Sequence, residues 1–194
     1  MKQTTNLNGL ILAGGKSRRM GHDKCQIQFT NGNPQFQVLQ SLLIKYCDNV
    51  FLSRRRDQVN PATVELIVDQ YDMEGPLNGL LSAFKYEPLM DWISVPCDMP
   101  MIDDGLLSYL LSNRNRNKVA TCFWDSDKKF PEPLLTIWEK KAGKLLNDFY
   151  KDGGTSPRKF LMQNDVEIIE APDSKKLLNV NTPEELSKIS SKPS

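Results

Sequence analysis

Short apolar runs alternate with segments of helical periodicity along the chain, and this alternation constrains the fold more than any other feature. The runs are rich in branched residues and predict six strands, at Leu10–Leu12, Val50–Leu52, Val64–Val68, Trp92–Val95, Val119–Cys122 and Val166–Ile169. Helical spacing between them predicts helices at Phe36–Tyr46, Leu77–Phe84, Leu106–Leu111 and Ala142–Tyr150. Strands that alternate with helices join through crossovers, so we expect an α/β fold whose mainly parallel sheet is covered on both faces.

Composition and charge restrict the class of function. The 194 residues carry 25 Lys and Arg against 24 Asp and Glu, which gives no basis for a nucleic-acid or anionic-membrane surface. The first apolar run is too short for a signal peptide or a membrane span. With one histidine and four cysteines at least 22 positions apart, neither a Cys/His zinc site nor a serine–histidine triad is expected. We therefore predict one cytoplasmic domain with no nucleic-acid or membrane partner.

The loop after the first strand combines glycines with cations. Ligands of parallel sheets bind beyond the carboxyl ends of the strands. Adjacent Gly14 and Gly15 let backbone N–H groups approach an anion closely, and four cations follow at Lys16, Arg18, Arg19 and Lys24. This chemistry suits a polyphosphate. On these residues alone, a solvated basic loop is an equal alternative.

An acidic residue follows the third predicted strand. Asp69 ends the strand, and Gly75, Pro76 and Leu77 then open a helix. A carboxylate at a strand end can accept hydrogen bonds from N1–H and the 2-amino group of guanine, a donor pair that adenine lacks. The residues by themselves favour a plainer interpretation, a helix-entry turn with acids on its surface.

A second carboxylate, Asp98, follows the fourth predicted strand and lies between Pro96 and Pro100. The prolines favour a rigid extended loop. Mg²⁺ uses one or two protein carboxylates and completes its shell with phosphate oxygens and water. Capping of the next helix is the alternative role, but Asp103 and Asp104 are better placed for it. The pattern therefore favours a magnesium ligand.

Four motifs in order resemble those of molybdenum cofactor guanylyltransferases. Residues 12–21 with Asp23 and Lys24 are similar to the nucleotidyltransferase signature LAGGxSxRMG followed by DK. Residues 75–80 are similar to GPLAG, residues 96–100 to PCDxP, and residues 179–186 to NxNTPEDL. The resemblance spans residues 7–187 and implies a three-layer, Rossmann-like nucleotidyltransferase fold with a mainly parallel, mixed sheet.

The resemblance also implies roles for individual residues. Catalysis falls to Arg19, Lys24 and Asp98, and Asp98 also binds Mg²⁺. Base recognition falls to Asp69, with Asp72 as the alternative because the loop is short. The implied nucleotide contacts are Leu12, Ala13, Gly14, Gly15, Lys24, Asp69, Gly75, Pro76, Leu77 and Asp98, and the implied acceptor-side residues are Pro133, Asn179 and Asn181.

Two departures from the resembled pattern are visible. Asn78 stands where the family usually has Ala. After the second strand, where the family shows a polar stretch with Asn, this chain has Ser53 followed by Arg54–Arg56. We expect Ser53 to keep a polar contact. The arginines either contact phosphate or lie on the solvated surface, and the second is expected. Thr182 or Asn181 is expected to cap a final helix that starts at Pro183.

The activity implied by the resemblance is transfer of GMP from GTP to molybdopterin that carries molybdenum, with release of pyrophosphate. The nucleotide would be held by about residues 1–100 and the acceptor by about residues 101–189. Transient contact with molybdoenzymes or cofactor-insertion proteins would follow. The alternatives are CTP with the same acceptor, a sugar 1-phosphate as acceptor, and a non-catalytic nucleotide-binding or cofactor-chaperone protein.

Overall fold

The structure is a computed structural model that describes residues 5–13, 32–55, 64–180, 182 and 184–185. Within these residues the strands are β1 Leu7–Leu12, β2 Val50–Arg54, β3 Glu65–Val68, β4 Asp91–Pro96, β5 Ala120–Trp124, β6 Pro131–Trp138 and β7 Glu167–Ile169. The helices are α1 Gln35–Leu43, α2 Pro76–Tyr86, α3 Asp104–Ser112, α4 Lys141–Lys151 and α5 Pro157–Gln163, and a 3₁₀ helix covers Ser174–Leu177.

All seven of these strands join one sheet in the order β3-β2-β1-β4-β6-β5-β7. Neighbouring strands run parallel except at β6, which is antiparallel to both β4 and β5. The prediction of a mainly parallel, mixed sheet is therefore confirmed. Because β6 runs the opposite way, its first residues lie at the edge of the sheet where the parallel strands end.

Side chains of the central strand alternate between two hydrophobic cores, which gives the fold its three layers. Leu7 and Ile11 of β1 pack on one face with α1 and α3. Leu10 and Leu12 pack on the other face with α2, α4 and α5. Fully burying one such side chain contributes about 1.5–3 kcal/mol. A strand buried on both faces reads as a continuous apolar run, and the sequence shows such a run here.

The six predicted strands and four predicted helices are confirmed. The described elements that the periodicity did not predict are β6, α5 and the 3₁₀ helix. β6 begins with Pro131 and Pro133, and proline normally argues against a central strand. Here the ladder with β5 is irregular between Cys122 and Trp124, at the end where the prolines lie. The regular ladder with β4 involves only Thr136, Ile137 and Trp138, which can all donate backbone hydrogen bonds.

Caps at two helices agree with the sequence. Asp103 accepts a hydrogen bond from the Leu106 N–H at 2.9 Å and so caps α3. Thr182 Oγ1 accepts from the Glu185 N–H at 3.1 Å, which confirms Thr182 as a cap of the last predicted helix. Asn181, Pro183 and the remainder of that helix lie outside the described residues.

No helix in the described part of the chain is both long enough and apolar enough to cross a membrane.

Helix α4 approaches α2 closely through Gly143. A Cβ atom at this position would lie 2.8 Å from Cδ1 of Phe84 on α2, closer than real Cβ contacts. We expect Gly143→Ala to lower the free energy of unfolding by about 1–3 kcal/mol, because the Phe84 ring is buried and must move. Urea unfolding of the variant and the wild type measures this loss.

Gly105→Ala is the matched control. A Cβ on this residue of α3 would lie 3.6 Å from its nearest neighbour, an ordinary contact. Alanine is the better helix former by up to about 1 kcal/mol, so this variant should be as stable as the wild type or more so. Equal stability of the two alanine variants would show that α2 and α4 are packed less closely than described.

Candidate functional site

A pocket lies at the edge of the sheet where the parallel strands end. Its walls come from the ends of β1, β2 and β4, the loop after β3, the first turns of α2 and the start of β6. The lining residues are Leu12, Ala13, Ser53, Asp69, Gly75, Pro76, Gly79, Pro96, Cys97, Asp98 and Leu134. Residues far apart in sequence therefore share one concave surface, which is where ligands of α/β sheets bind.

Six of the residues assigned to nucleotide contacts meet in this pocket: Leu12, Ala13, Asp69, Gly75, Pro76 and Asp98. Leu77 is fully buried in the core beneath α2 and does not line the pocket. On the acceptor side, Pro133 is buried in β6 and Asn179 is exposed. Gly14, Gly15, Arg19, Lys24 and Asn181 lie outside the described residues.

Backbone pairing places the loops side by side. The β1–β4 ladder is in register from Leu7 and Asp91 to Leu12 and Pro96. Beyond it, the Ala13 N–H donates to the Ser53 carbonyl at 3.2 Å, and the Cys97 N–H donates to the Leu12 carbonyl at 3.4 Å. The first residues of the loops after β1 and β4 therefore leave the sheet as neighbours.

Asp69 places a half-buried carboxyl group at one end of the pocket. Ser53 Oγ donates to Asp69 Oδ1 at 3.3 Å, so its polar contact in this structure is with Asp69. Burial raises the pKa of Asp69 from 3.8 to about 6, although the Ser53 hydroxyl and the charge of Arg55 oppose the rise. Asp72 is exposed and does not line the pocket, so Asp69 is the carboxylate that a ligand would meet.

Two glycines allow close approach at the α2 end of the pocket. Gly75, the N-cap of α2, has φ +101°, a conformation that side chains rarely adopt. A Cβ atom on Gly79 would collide with Ser53 Oγ and would lie 3.1 Å from Leu12 Cδ2. Larger residues at these positions would displace the helix from the wall of the pocket.

Arg54 corrects one expectation from the sequence. Its side chain is fully buried, so the prediction that the arginines after β2 lie on the solvated surface is wrong for this residue. Arg55 is half-buried and acts on the charge of Asp69, whereas Arg56 lies outside the described residues. Strand β2 extends two residues beyond the apolar run Val50–Leu52, its last four residues are all buried, and Arg54 is the last of them.

Asp98 lines the pocket directly beyond β4. Its carbonyl oxygen accepts the Val180 N–H at 2.7 Å, so the segment that contains Asn179 runs beside it. Among the described residues, no three His, Cys, Asp or Glu side chains are grouped to hold a metal ion. The half-buried Asp98 carboxylate nevertheless fits Mg²⁺, which needs only one or two protein carboxylates where phosphate oxygens and water supply the other ligands.

Glu132 is a buried acid next to Pro133, in a segment whose resemblance implies the acceptor side but gives Glu132 no role of its own. It is 5% exposed at the start of β6, and its Oε1 accepts the Leu134 N–H at 2.8 Å. Burial raises the pKa of Glu132 to about 7; the negative charge of Asp98 adds to the rise, and the Leu134 N–H and Arg158 oppose it. In the sequence, Glu132 is visible as an acid between two prolines. Its position near Asp98 follows only from the antiparallel direction of β6, which the sequence pattern did not predict.

An aromatic–cation pair joins α5 to the turn between β5 and β6. The guanidinium of Arg158, on α5, is 5.6 Å from the ring centre of Phe130 and 3.8 Å from Asp125 Oδ2. Phe130 belongs to the turn between β5 and β6 and is 40% exposed. The edge of the sheet thus continues beyond Asp98 with a surface that mixes charge and aromatic area.

Comparison with known proteins agrees with this architecture. Residues 9–168 match the family of MobA-like NTP transferase domains. The chain belongs to this family. Over 188 residues it is 35% identical to a molybdenum cofactor biosynthesis bifunctional protein of Synechocystis sp., a match that covers 95% of this chain and 54% of that protein. The chain therefore spans about half the length of that relative.

Two further proteins are similar over nearly their whole length. The molybdenum cofactor guanylyltransferase of Pseudomonas fluorescens is 33% identical over 186 residues, which cover 90% of this chain and 89% of that enzyme. The solved structure of molybdopterin-guanine dinucleotide biosynthesis protein A from Archaeoglobus fulgidus superposes with a TM-score of 0.73 at 20% identity, covering 94% of this chain and 96% of that one. At this identity the superposition supports the fold alone, and it confirms the Rossmann-like nucleotidyltransferase fold.

The raised pKa of Asp69 predicts a pH-dependent loss of stability. The folded protein binds this proton more tightly than the unfolded chain, so its stability falls as the pH rises from about 4 to about 6. Asp69→Asn removes the ionisable group. We expect the variant to be more stable than the wild type at pH 7.5 and to lose that advantage at pH 4, as measured by urea unfolding at both values.

Asp72→Asn provides the control, because Asp72 is an exposed carboxyl on the same loop. Its stability should follow that of the wild type at both pH values. The result would contradict this if the gain in unfolding free energy of Asp69→Asn over the wild type were the same at pH 7.5 as at pH 4. The charge of Asp69 would then be as well solvated in the folded protein as in the unfolded chain.

Proposed function

We propose that this protein transfers GMP from GTP to molybdopterin carrying molybdenum, releasing pyrophosphate and forming the guanine dinucleotide form of the cofactor. The names of its relatives favour this reaction. The observation that carries the proposal is the pocket that joins the half-buried Asp69 at one end to Asp98 at the other. A carboxylate for the base and a carboxylate for the metal are what a guanine nucleotide needs from such a site.

Asp69 would read the base. Its carboxylate would accept hydrogen bonds from the N1–H and 2-amino groups of guanine, and Ser53 Oγ would hold Asp69 Oδ1 in place. Adenine and cytosine do not present that donor pair. A site built to pair with donors rejects bases that lack them strongly, since its buried charge would then be left unpaired.

Asp98 would hold Mg²⁺ together with the phosphates, and Gly14, Gly15, Arg19 and Lys24 would bind the triphosphate. Bound there, Mg²⁺ would neutralise the charge of the phosphate oxygens. The Val180 N–H binds the Asp98 carbonyl, so the main chain that carries the carboxylate is held in place. Preorganised charges of this kind act without reorganisation during the reaction.

The reaction needs no general base. A terminal phosphate oxygen of molybdopterin would attack the α-phosphorus of GTP; the bond to the β-phosphate oxygen would break, and pyrophosphate would leave. The attacking phosphate is already ionised at pH 7. The contribution of the chain is then to bring the two substrates together in line and to exclude water.

The two substrates would divide the chain between them. About residues 1–100 would hold the nucleotide and about residues 101–189 the acceptor, with Pro133, Asn179 and Asn181 on the acceptor side. Support comes from β6 and Val180, which both lie beside Asp98. The reaction would take place in the cytoplasm, with transient transfer of the product to molybdoenzymes or cofactor-insertion proteins.

A direct test measures pyrophosphate release from each of the four nucleoside triphosphates with Mg²⁺ and molybdopterin, and in parallel with sugar 1-phosphates. We expect pyrophosphate release only with GTP as the nucleotide and molybdopterin as the acceptor. Release with CTP would identify a cytidylyltransferase, and release with a sugar 1-phosphate would identify a different acceptor. Tight GTP binding without release under any condition would point to a non-catalytic nucleotide-binding protein.

Asp98→Asn tests the metal role. Removal of the protein ligand of the metal should cost several kcal/mol of transition-state stabilisation, a loss of about 10²-fold or more in turnover. Mg²⁺ should also cease to strengthen GTP binding, which calorimetry with and without Mg²⁺ measures. Asp72→Asn is the control, and thermal melts establish that both variants fold. Wild-type turnover of Asp98→Asn at limiting Mg²⁺ would contradict the assignment.

A further inference from the structure

Asn78 makes an unusual set of contacts for the third residue of a helix. Its side chain is 2% exposed and reaches back from α2 to the loop that follows β3. Oδ1 accepts the Tyr71 N–H at 3.1 Å, and Nδ2 donates to the carbonyls of Tyr71 at 2.8 Å and Met73 at 2.9 Å. The carboxamide therefore satisfies backbone groups of the loop that a neighbouring strand would bind in a sheet.

Ser82 extends the same set of contacts one helical turn further on. Its Oγ accepts the Gln70 N–H at 3.0 Å and donates to Asn78 Oδ1 at 3.2 Å. Ser82 is fully buried. Residues four apart lie on one face of a helix. One face of α2 thus holds the loop backbone at residues 70, 71 and 73.

The loop that is held in this way carries Asp69. On its other side, the Asp69 N–H donates to the Arg54 carbonyl of β2 at 2.8 Å. The Tyr71 ring is anchored separately, with its centre 5.2 Å from that of Tyr150. Asp69 is therefore fixed between the sheet and α2, and Gly75 at the far end of the loop lines the same pocket.

We propose that Asn78 is a positioning residue for base selection, assisted by Ser82: it fixes the loop so that the Asp69 carboxylate stands where the 2-amino and N1–H groups of guanine arrive. The inference rests on the proposed function, in which Asp69 reads the base. It also gives a physical role to the position where the resembled pattern has Ala. An alanine could satisfy none of the three backbone groups that Asn78 binds.

A comparison of GTP with inosine triphosphate separates positioning from mere stability. Inosine triphosphate lacks the 2-amino group and keeps the rest of the base edge. The ratio of kcat/KM for the two nucleotides therefore reports how well Asp69 meets that amino group. A variant that is only less stable loses activity equally with both nucleotides, and the ratio stays as in the wild type.

The variants are Asn78→Ala, Ser82→Ala and Asn8→Ala. Asn8 is the matched control, because it is a fully buried asparagine whose side chain is hydrogen-bonded to Glu87 and Asn49 at the opposite edge of the sheet. We expect Asn78→Ala to raise the KM for GTP about tenfold and to lower the GTP preference, with a smaller change in kcat. Asn8→Ala should keep the wild-type preference.

Hydrogen exchange provides a readout that does not depend on activity. The amides of Gln70 and Tyr71 should lose protection in Asn78→Ala while those of β1 and β4 keep it. Ser82→Ala removes one side-chain contact to the loop and is the milder variant if Asn78→Ala does not fold. An unchanged GTP preference in whichever of the two folds would overturn the proposal.

Asp69→Ala in the same assay distinguishes failure of this inference from failure of the proposed function. If Asp69→Ala abolishes the preference for GTP and Asn78→Ala leaves it intact, Asp69 reads the base and the positioning role of Asn78 is wrong. If Asp69→Ala also leaves the preference intact, base reading by Asp69 fails and the positioning role fails with it.

Discussion

The parallel ladder between β1 and β4 is the constraint on which the site depends. Both strands lie in the middle of the sheet and are buried on both faces, so neither can slip by one residue without moving core side chains into the opposite layer. The register ends with Leu12 opposite Pro96. As a consequence, the loops that follow these strands begin next to each other, and Asp98 is placed beside the end of β1 before any ligand is present. The chemistry of the site is thus set by packing some distance away from it.

Much of this arrangement follows from the order of residues in the chain. Continuous apolar runs identified the buried parallel strands, because a strand covered on both faces has no polar side. Once the strands are parallel, the residues that follow them must gather at one edge, and this brings Asp69 and Asp98 to one pocket. Helix capping by Asp103 and Thr182 was equally visible, since a cap depends only on residues within one turn.

Other features depend on contacts that no local pattern contains. β6 was missed because prolines at its start argue against a strand, whereas the irregular pairing with β5 tolerates them there. The burial of Glu132 follows from the direction of that strand. The burial of Arg54 follows from the two residues by which β2 extends beyond its apolar run. Asn78 appeared in the sequence only as a departure from a pattern. Its partners lie five to seven residues upstream, beyond the range of a helix cap.

The order of strands also sets the distance between the two ends of the site. Asp69 follows β3 and Asp98 follows β4, and these strands are separated by three spacings along the sheet, or about 14 Å at ~4.8 Å per strand. A molecule that touches both ends must therefore have a fixed reach: a free base or a bare triphosphate can occupy only one end. Under the proposed function, recognition of the base and placement of the phosphates depend on each other, because a nucleotide that shifts to improve one contact gives up the other. The next strand in the order is β6. Under the proposed function, the acceptor would therefore approach one further spacing along the same edge.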